Sequence, residues 1–150
     1  MRITMKLLLN LFLAYLMLYP SINYAETLTP DLTTIVKGNE WVVYKRTPMV
    51  TENAQQIEVS FDEQPETGLA WLKKVDFSEG IIEVDLKGRD IKDKSYLGIA
   101  FHGVDEKTYE AIYFRPFNFQ ATDPVRKAHA VQYISEPQYP WESLRKQFPN

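Results

Sequence analysis

The chain has 150 residues, a formal net charge of −3 at pH 7 and no cysteine. This length suits one domain with a hydrophobic core, and the lack of cysteine excludes disulfides and thiolate metal sites. The acidic balance disfavours binding to nucleic acid or to anionic lipid, both of which attract basic surfaces, and is compatible with a neutral ligand such as a sugar.

The first 25 residues have the pattern of a secretory signal peptide. Arg2 and Lys6 stand before or at the start of an apolar run, Leu7 to Tyr19, and a polar stretch then ends at Ala25. The run is shorter than the roughly 20 residues that a membrane-spanning helix needs. We predict cleavage after Ala25, one domain over residues 26–150, and export to a bacterial periplasm or to the exterior.

Alternation of apolar and polar residues predicts short strands in the part that follows the leader. Residues 27–38 show no sustained period and are predicted to form a loop. Strands are predicted over residues 40–46, 56–61 and 69–73, with Thr47-Pro48 ending the first of them.

Three consecutive alternating runs form the clearest antiparallel signature. They cover residues 80–87, 96–102 and 109–115, and polar turn-like clusters separate them. In the second run one face carries only small residues between Tyr96 and His102. This predicts a nearly flat surface, bordered by His102, Tyr113 and Arg115, which is typical either of a shallow groove for a polar ligand or of close packing inside a sandwich.

The last third of the chain is predicted to contain a loop, a strand and a helix. Residues 120–127 read as a long loop, residues 128–134 return to alternation, and residues 141–148 place Trp141, Leu144 and Phe148 at helical spacing. The total of about seven short strands predicts an all-β fold, an antiparallel β-sandwich.

The segments GIAFHG, YEAIYFRPFNF and AVQYIS carry a family resemblance that extends from about Trp41 to the end of the chain. They resemble the secreted jelly-roll domains of the concanavalin A-like lectin/glucanase superfamily, especially LamG-type and keto-disaccharide-hydrolase-like bacterial domains. The resemblance implies a concanavalin A-like jelly roll. Because members of that family continue for several more strands, it also implies that residues 26–150 are the N-terminal part of a longer sandwich.

Five residues form the predicted ligand-binding site. His102 stands at a strand-to-turn junction, Tyr113 and Arg115 share one strand face, Gln132 lies on the strand that follows, and Trp141 comes directly after Pro140. An imidazole, a phenol, a guanidinium and an amide match sugar hydroxyls, and an indole offers a flat apolar face.

Three of these residues also have a structural interpretation. His102 would then be an ordinary hydrogen-bond donor, and Arg115 would pair with Glu110 or Asp123 to hold the following loop. Trp141 would be a hydrophobic plug beneath that loop. No histidine stands at a metal-ligand spacing from another ligand, so no metal site is predicted.

Glu83 and Asp85 are the weak catalytic candidates. Glucanases of the resembled superfamily carry alternating carboxylates on one strand, and here Lys87 occupies the third position of that pattern. Alternate strand residues lie roughly 6.5–7 Å apart, whereas a retaining glycosidase needs about 5–5.5 Å between its carboxyl groups. A solvated outer face explains these residues equally well.

The sequence therefore leads to three functional hypotheses and no firm cofactor. The preferred one is a secreted, non-catalytic domain that binds carbohydrate in a shallow groove. The alternatives are a glycoside-processing hydrolase and a non-enzymatic interaction module of the envelope. Calcium is weakly indicated by Asp105 in the acidic loop 104–106, because one acid is far short of the six to eight oxygens that the ion prefers.

Overall fold

The chain folds mainly into antiparallel β-sheets, with little helix. The computed structural model describes residues 27–54 and 56–149. Within them the strands are β1 Trp41–Tyr44, β2 Pro48–Glu52, β3 Ile57–Phe61, β4 Leu69–Leu72, β5 Leu97–Phe101, β6 Tyr109–Phe114 and β7 Val131–Glu136. The helices are the 3₁₀ helices η1 Leu32–Lys37 and η2 Pro116–Asn118, and the α-helices α1 Pro124–Ala128 and α2 Trp141–Gln147. The predicted all-β class is confirmed.

The strands form three antiparallel sheets. β1 pairs with β4, β2 pairs with β3, and the three-stranded central sheet has the order β5-β6-β7. In the central sheet Ala111 lies between Ala100 and Ile134, and Tyr113 lies between Gly98 and Gln132. This register places Gly98 of β5 opposite Tyr113, and Ala100 opposite Ala111.

The hydrophobic core lies on one side of the central sheet, here called the inner face. Tyr109, Ala111 and Ile134 are buried on it, and Leu69 and Trp71 of β4 pack over them. The rings of Trp71 and Tyr109 meet edge to face, with centroids 6.1 Å apart. The middle of the predicted flat surface is therefore an internal packing face, because an aromatic residue from another sheet fills the space above its small residues.

Gly98 shows why one position on this face must be occupied by a residue without a side chain. A Cβ at this position would lie 2.1 Å from the carbonyl oxygen of Ile112 and 2.5 Å from the Cα of Tyr113. Both atoms belong to the backbone of β6 and cannot move without distorting the ladder. Glycine is thus required for the close approach of β5 to β6.

The strand predicted over residues 80–87 is wrong. These residues have no ladder partner among the described residues, and Ile81, Ile82, Val84 and Leu86 are all exposed. Alternation reports a local preference for extended backbone, but a strand also requires a neighbour that accepts its hydrogen bonds. No described segment supplies that neighbour.

Three other differences arise from local backbone chemistry. Pro48 begins β2 instead of ending a strand, a position where the missing N–H is tolerated. The loop predicted over residues 27–38 contains η1, whose N-cap Asp31 accepts from the N–H of Thr33. The loop predicted over residues 120–127 contains most of α1, which Asp123 caps.

The remaining elements agree with the sequence. Each of the other predicted strands overlaps a strand of the structure, Pro116 follows the end of β6 and starts η2, and α2 occupies the predicted helical segment. Across the described residues, no helix combines the length and the apolar character needed to cross a bilayer. The predicted signal peptide lies outside the described residues.

Candidate functional site

Four of the five predicted ligand residues meet at one end of the inner face. Tyr113 of β6 and Gln132 of β7 are register partners, and Arg115 follows Tyr113 on the same face. Helix α2 packs against β7 and brings Trp141 and Arg145 to this end. We call Tyr113, Arg115, Gln132, Trp141 and Arg145 the arginine cluster.

Arg115 forms the floor of the cluster, and only 7% of its surface is exposed. Its Nη1 donates to the carbonyl oxygen of His129 over 2.7 Å, and its Nη2 donates to the hydroxyl of Tyr113 over 2.8 Å. The guanidinium also lies over the ring of Tyr113, 4.9 Å from its centroid. These contacts hold the cation in place, and two hydrogen bonds use only part of its five N–H donors.

The hydroxyl of Tyr113 can donate a hydrogen bond to a ligand. Because the oxygen accepts from Arg115, the O–H remains able to donate to another group. Burial raises the pKa of Tyr113 above its ordinary value, even though the charges of Arg115 and Arg145 act in the opposite direction. The phenol therefore stays protonated at neutral pH.

Trp141 and Arg145 form the outer wall of the cluster. They lie four residues apart on α2, so they occupy neighbouring positions on one helix face. The guanidinium of Arg145 lies 4.8 Å from the centroid of the Trp141 ring, and its Nε donates to Oε1 of Gln132 over 3.3 Å. Trp141 is 40% exposed, so part of its indole remains open to solvent.

Tyr96 stands at the rim of the cluster and is 53% exposed. Its ring meets those of Tyr113 and Phe117 edge to face, with centroids 6.2 and 5.6 Å apart. It also contacts the guanidinium of Arg115, whose carbon lies 5.8 Å from the ring centroid. The cluster thus has a polar floor and two partly exposed aromatic side chains.

His102 lies away from the arginine cluster, on the outer face of the central sheet. Its Nδ1 is 2.8 Å from Oε1 of Glu110, and the hydroxyl of Tyr133 donates to Oε2 of the same carboxylate. Glu110 alternates with the buried residues Tyr109 and Ala111, so it points to the opposite side of the sheet. The placement of His102 in one groove with Tyr113 and Arg115 is therefore wrong.

The backbone explains this displacement. His102 has φ of 50°, in the left-handed region that residues other than glycine seldom adopt. The regular alternation of β5 ends at Phe101, and the turn at His102 sends the imidazole to the outer face. Sequence alternation alone continues the strand through His102 and so assigns the imidazole to the wrong side.

Two structural interpretations from the sequence are also corrected. Arg115 pairs with neither Glu110 nor Asp123, because Glu110 bonds His102 and Tyr133 while Asp123 caps α1 through the N–H groups of Val125 and Arg126. Trp141 is not a buried plug, since it keeps a substantial exposed surface.

Glu83 and Asp85 lie on the exposed segment that precedes β5. With Ile82 and Val84, they line an open surface depression. The only lining residues described there are consecutive in sequence, so no second element is seen to face the two carboxylates. They precede β5, whereas all members of the arginine cluster come from β6 and later parts of the chain.

Asp105 is engaged in a turn. Its Oδ1 accepts from the N–H groups of Lys107 and Thr108 over 2.8 and 2.7 Å, and these bonds lower the pKa of its carboxyl group. In the part of the chain that the structure describes, no group of three or more His, Asp or Glu residues is arranged to hold a metal ion. Asp105 therefore has a structural role in the loop between β5 and β6.

Comparison of the chain with protein-family models, with curated proteins and with solved structures finds no match. The resemblance to the concanavalin A-like superfamily therefore rests on the quoted sequence segments and remains a prediction.

Sequence reasoning missed two members of this region. Arg145 was open to prediction, because it stands four residues after Trp141 in a segment with helical spacing. Tyr96 directly precedes β5, and its contact with Phe117 depends on η2, which the alternation does not reveal.

Proposed function

We propose that this chain is a secreted carbohydrate-binding domain whose ligand lies on the arginine cluster. The observation that carries the proposal is a partly exposed indole, Trp141, in contact with Arg145, which bonds Gln132, the register partner of Tyr113. Sugar rings stack on flat aromatic faces through their C–H groups, and their hydroxyls need fixed hydrogen-bond partners at the edge of the ring. In the cluster, the partly exposed Trp141 offers the aromatic face, and Tyr113, Arg115 and Gln132 offer the polar groups.

The proposal includes the finer architecture and the location of the protein. The fold would be a concanavalin A-like jelly roll, in keeping with the antiparallel sheets and with the resembled segments GIAFHG and AVQYIS. Removal of residues 1–25 would release the domain into a bacterial periplasm or the exterior. Hydrolysis through Glu83 and Asp85 receives no specific support from their exposed position.

A glycan-array screen of the chain from residue 26 onward tests the proposal. Trp141→Ala should weaken binding to any positive glycan by at least about tenfold, because it removes the stacking surface. Phe148→Ala is the matched control, since Phe148 is an exposed aromatic residue just after the same helix. It should leave binding unchanged.

His102→Ala decides between the two faces of the central sheet. It should leave binding intact if the ligand lies on the arginine cluster. Loss of binding in His102→Ala together with normal binding in Trp141→Ala would overturn the proposed site. A folded chain that binds no glycan would overturn the function itself and favour an interaction module.

A further inference from the structure

The arginine cluster contains two cations that are close enough to affect each other. Burial and the charge of Arg115 both lower the pKa of Arg145, with burial the larger cause. Burial is the largest cause that lowers the pKa of His129, and the charges of Arg145 and Arg115 lower it further, whereas the charge of Asp123 raises it. Contacts place all three residues at this end of the inner face, because the carbonyl oxygen of His129 accepts from Arg115 and Oε1 of Gln132 accepts from Arg145.

Among the residues that the structure describes, no carboxylate forms an ion pair with Arg115 or Arg145. Within the described residues the ion pairs are Lys45–Glu66, Arg89–Glu63 and His102–Glu110, and none includes Arg115 or Arg145. Glu142 is close enough to raise the pKa of Arg145 but forms no ion pair with it. Arg115 instead bonds a carbonyl oxygen and a phenol, which carry no formal charge.

A buried guanidinium without an anion is unusual. Arginine is almost never fully buried unless it is paired, because removing the charge from water is costly. The chain as a whole is acidic, with a net charge of −3, so a local positive excess is not a by-product of a basic composition. The arrangement fits an anion that arrives with the ligand.

We propose that the arginine cluster binds an acidic sugar, with the anionic oxygens of its carboxylate or sulfate ester between the guanidinium groups of Arg115 and Arg145. The planar donors of arginine match such groups bidentately. The exposed part of Trp141 would then contact the sugar ring itself. This inference rests on the proposed carbohydrate-binding function and specifies the chemical class of the ligand.

The test compares oligosaccharides that differ only in charge. Oligogalacturonate and its methyl ester share one backbone, as do a sulfated galactan oligosaccharide and its desulfated form. By isothermal titration calorimetry, the acidic member of at least one pair should bind about tenfold more tightly or better than its neutral partner. The difference should shrink as salt is raised, because exposed charges are screened.

A matched pair of variants separates a defined site from general charge attraction. Arg145→Gln should abolish the preference for the acidic sugar. Lys146→Gln removes the same charge from the next, exposed position of the same helix and should retain the preference. An equal loss in both variants would overturn the proposal.

His129 supplies a readout that does not depend on affinity. Binding of an anion near Arg115 and Arg145 should raise the pKa of His129, followed by proton NMR, while the neutral oligosaccharide should leave it unchanged. His102, on the opposite face, serves as the internal reference.

The outcomes distinguish this inference from the function on which it rests. Equal binding of acidic and neutral sugars, lost in Trp141→Ala, would overturn the acidic ligand and keep the carbohydrate-binding function. Inorganic sulfate bound as tightly as the acidic oligosaccharides would overturn the assignment to a sugar.

Discussion

A single backbone angle at His102 changes which face of the central sheet carries its side chain. The left-handed conformation is a sparsely populated one and costs free energy, and the contacts of the imidazole with Glu110 offset part of that cost. The resulting group of His102, Glu110 and Tyr133 joins the end of β5 to β6 and β7. We call these three side chains the clasp, and its contribution to stability depends on pH.

The pH dependence follows from two opposite pKa shifts. The hydrogen bond with Glu110 is the largest cause that raises the pKa of His102 above 6.5, and the bonds from Tyr133 and His102 lower the pKa of Glu110 below 4.5. The histidine contribution to stability is complete below pH 6.5 and is lost as pH rises through the raised pKa. The glutamate contribution is present above pH 4.5 and is lost as pH falls through the lowered pKa. The clasp should therefore be strongest between these values.

Replacement of Glu110 tests this coupling. In Glu110→Gln the pKa of His102 should fall, because the variant removes the carboxylate that favours the imidazolium. Proton NMR titration of the two histidines measures the change, with His129 as a control that should not respond. An unchanged His102 pKa would show that the two side chains do not interact in solution.

At the scale of elements, the segment over residues 80–87 has a regular strand pattern but no ladder partner among the described residues. Its neighbour in sequence, β5, has a weaker pattern and lies in the central sheet. Alternation is set by adjacent residues, whereas pairing depends on segments far away in the chain. The sequence therefore predicts which stretches prefer extended backbone better than it predicts which of them are paired.

The same limit applies to the candidate site. Tyr113 and Arg115 were predicted to share a face because strand alternation is local, and their hydrogen bond agrees with this. The approach of Trp141 and Arg145 to Gln132 depends on how α2 packs against β7, which no local pattern contains. The sequence therefore predicts which side chains could bind a ligand, but the proximity of these side chains depends on tertiary packing.

Hydrogen exchange distinguishes the unpaired segment from a true strand. Amides of residues 81–87 should exchange at least about a hundredfold faster than those of β6, whose backbone groups bond both neighbouring strands. Mass spectrometry of matched peptides from the two regions measures this. Equal protection at low protein concentration would show that residues 81–87 are paired within the chain. Protection that develops only at high concentration would show pairing between copies.

At the scale of the molecule, the residues that the structure describes bury few apolar side chains. Within the described residues the buried apolar set is Ile35, Tyr109, Ala111, Phe117, Ala130 and Ile134, and no large side chain is fully enclosed. On the outer face of the central sheet, Ile112, Val131 and Tyr133 remain exposed. Because burial of apolar surface is the main force that favours folding, the free energy of unfolding should be small.

Urea denaturation should give a free energy of unfolding below about 5 kcal/mol, the lower end of the range for natural domains. The native protein should also increase the fluorescence of the dye ANS, which binds exposed apolar surface. A saturating acidic oligosaccharide should raise the denaturation midpoint through its binding free energy. High stability without dye binding would mean that the apolar faces are covered in solution.

The three tryptophans occupy three different surroundings. Trp41 donates its Nε1 to Thr34 over 3.2 Å, Trp71 lies in the core with a buried Nε1 that has no partner among the described residues, and Trp141 is partly exposed beneath the Arg145 guanidinium. Their emission wavelengths and their access to a soluble quencher should therefore differ, with Trp71 the best shielded. Trp141 can therefore report ligand binding at the arginine cluster through its fluorescence, with the buried Trp71 as an internal reference. Binding can then be followed without attaching a label.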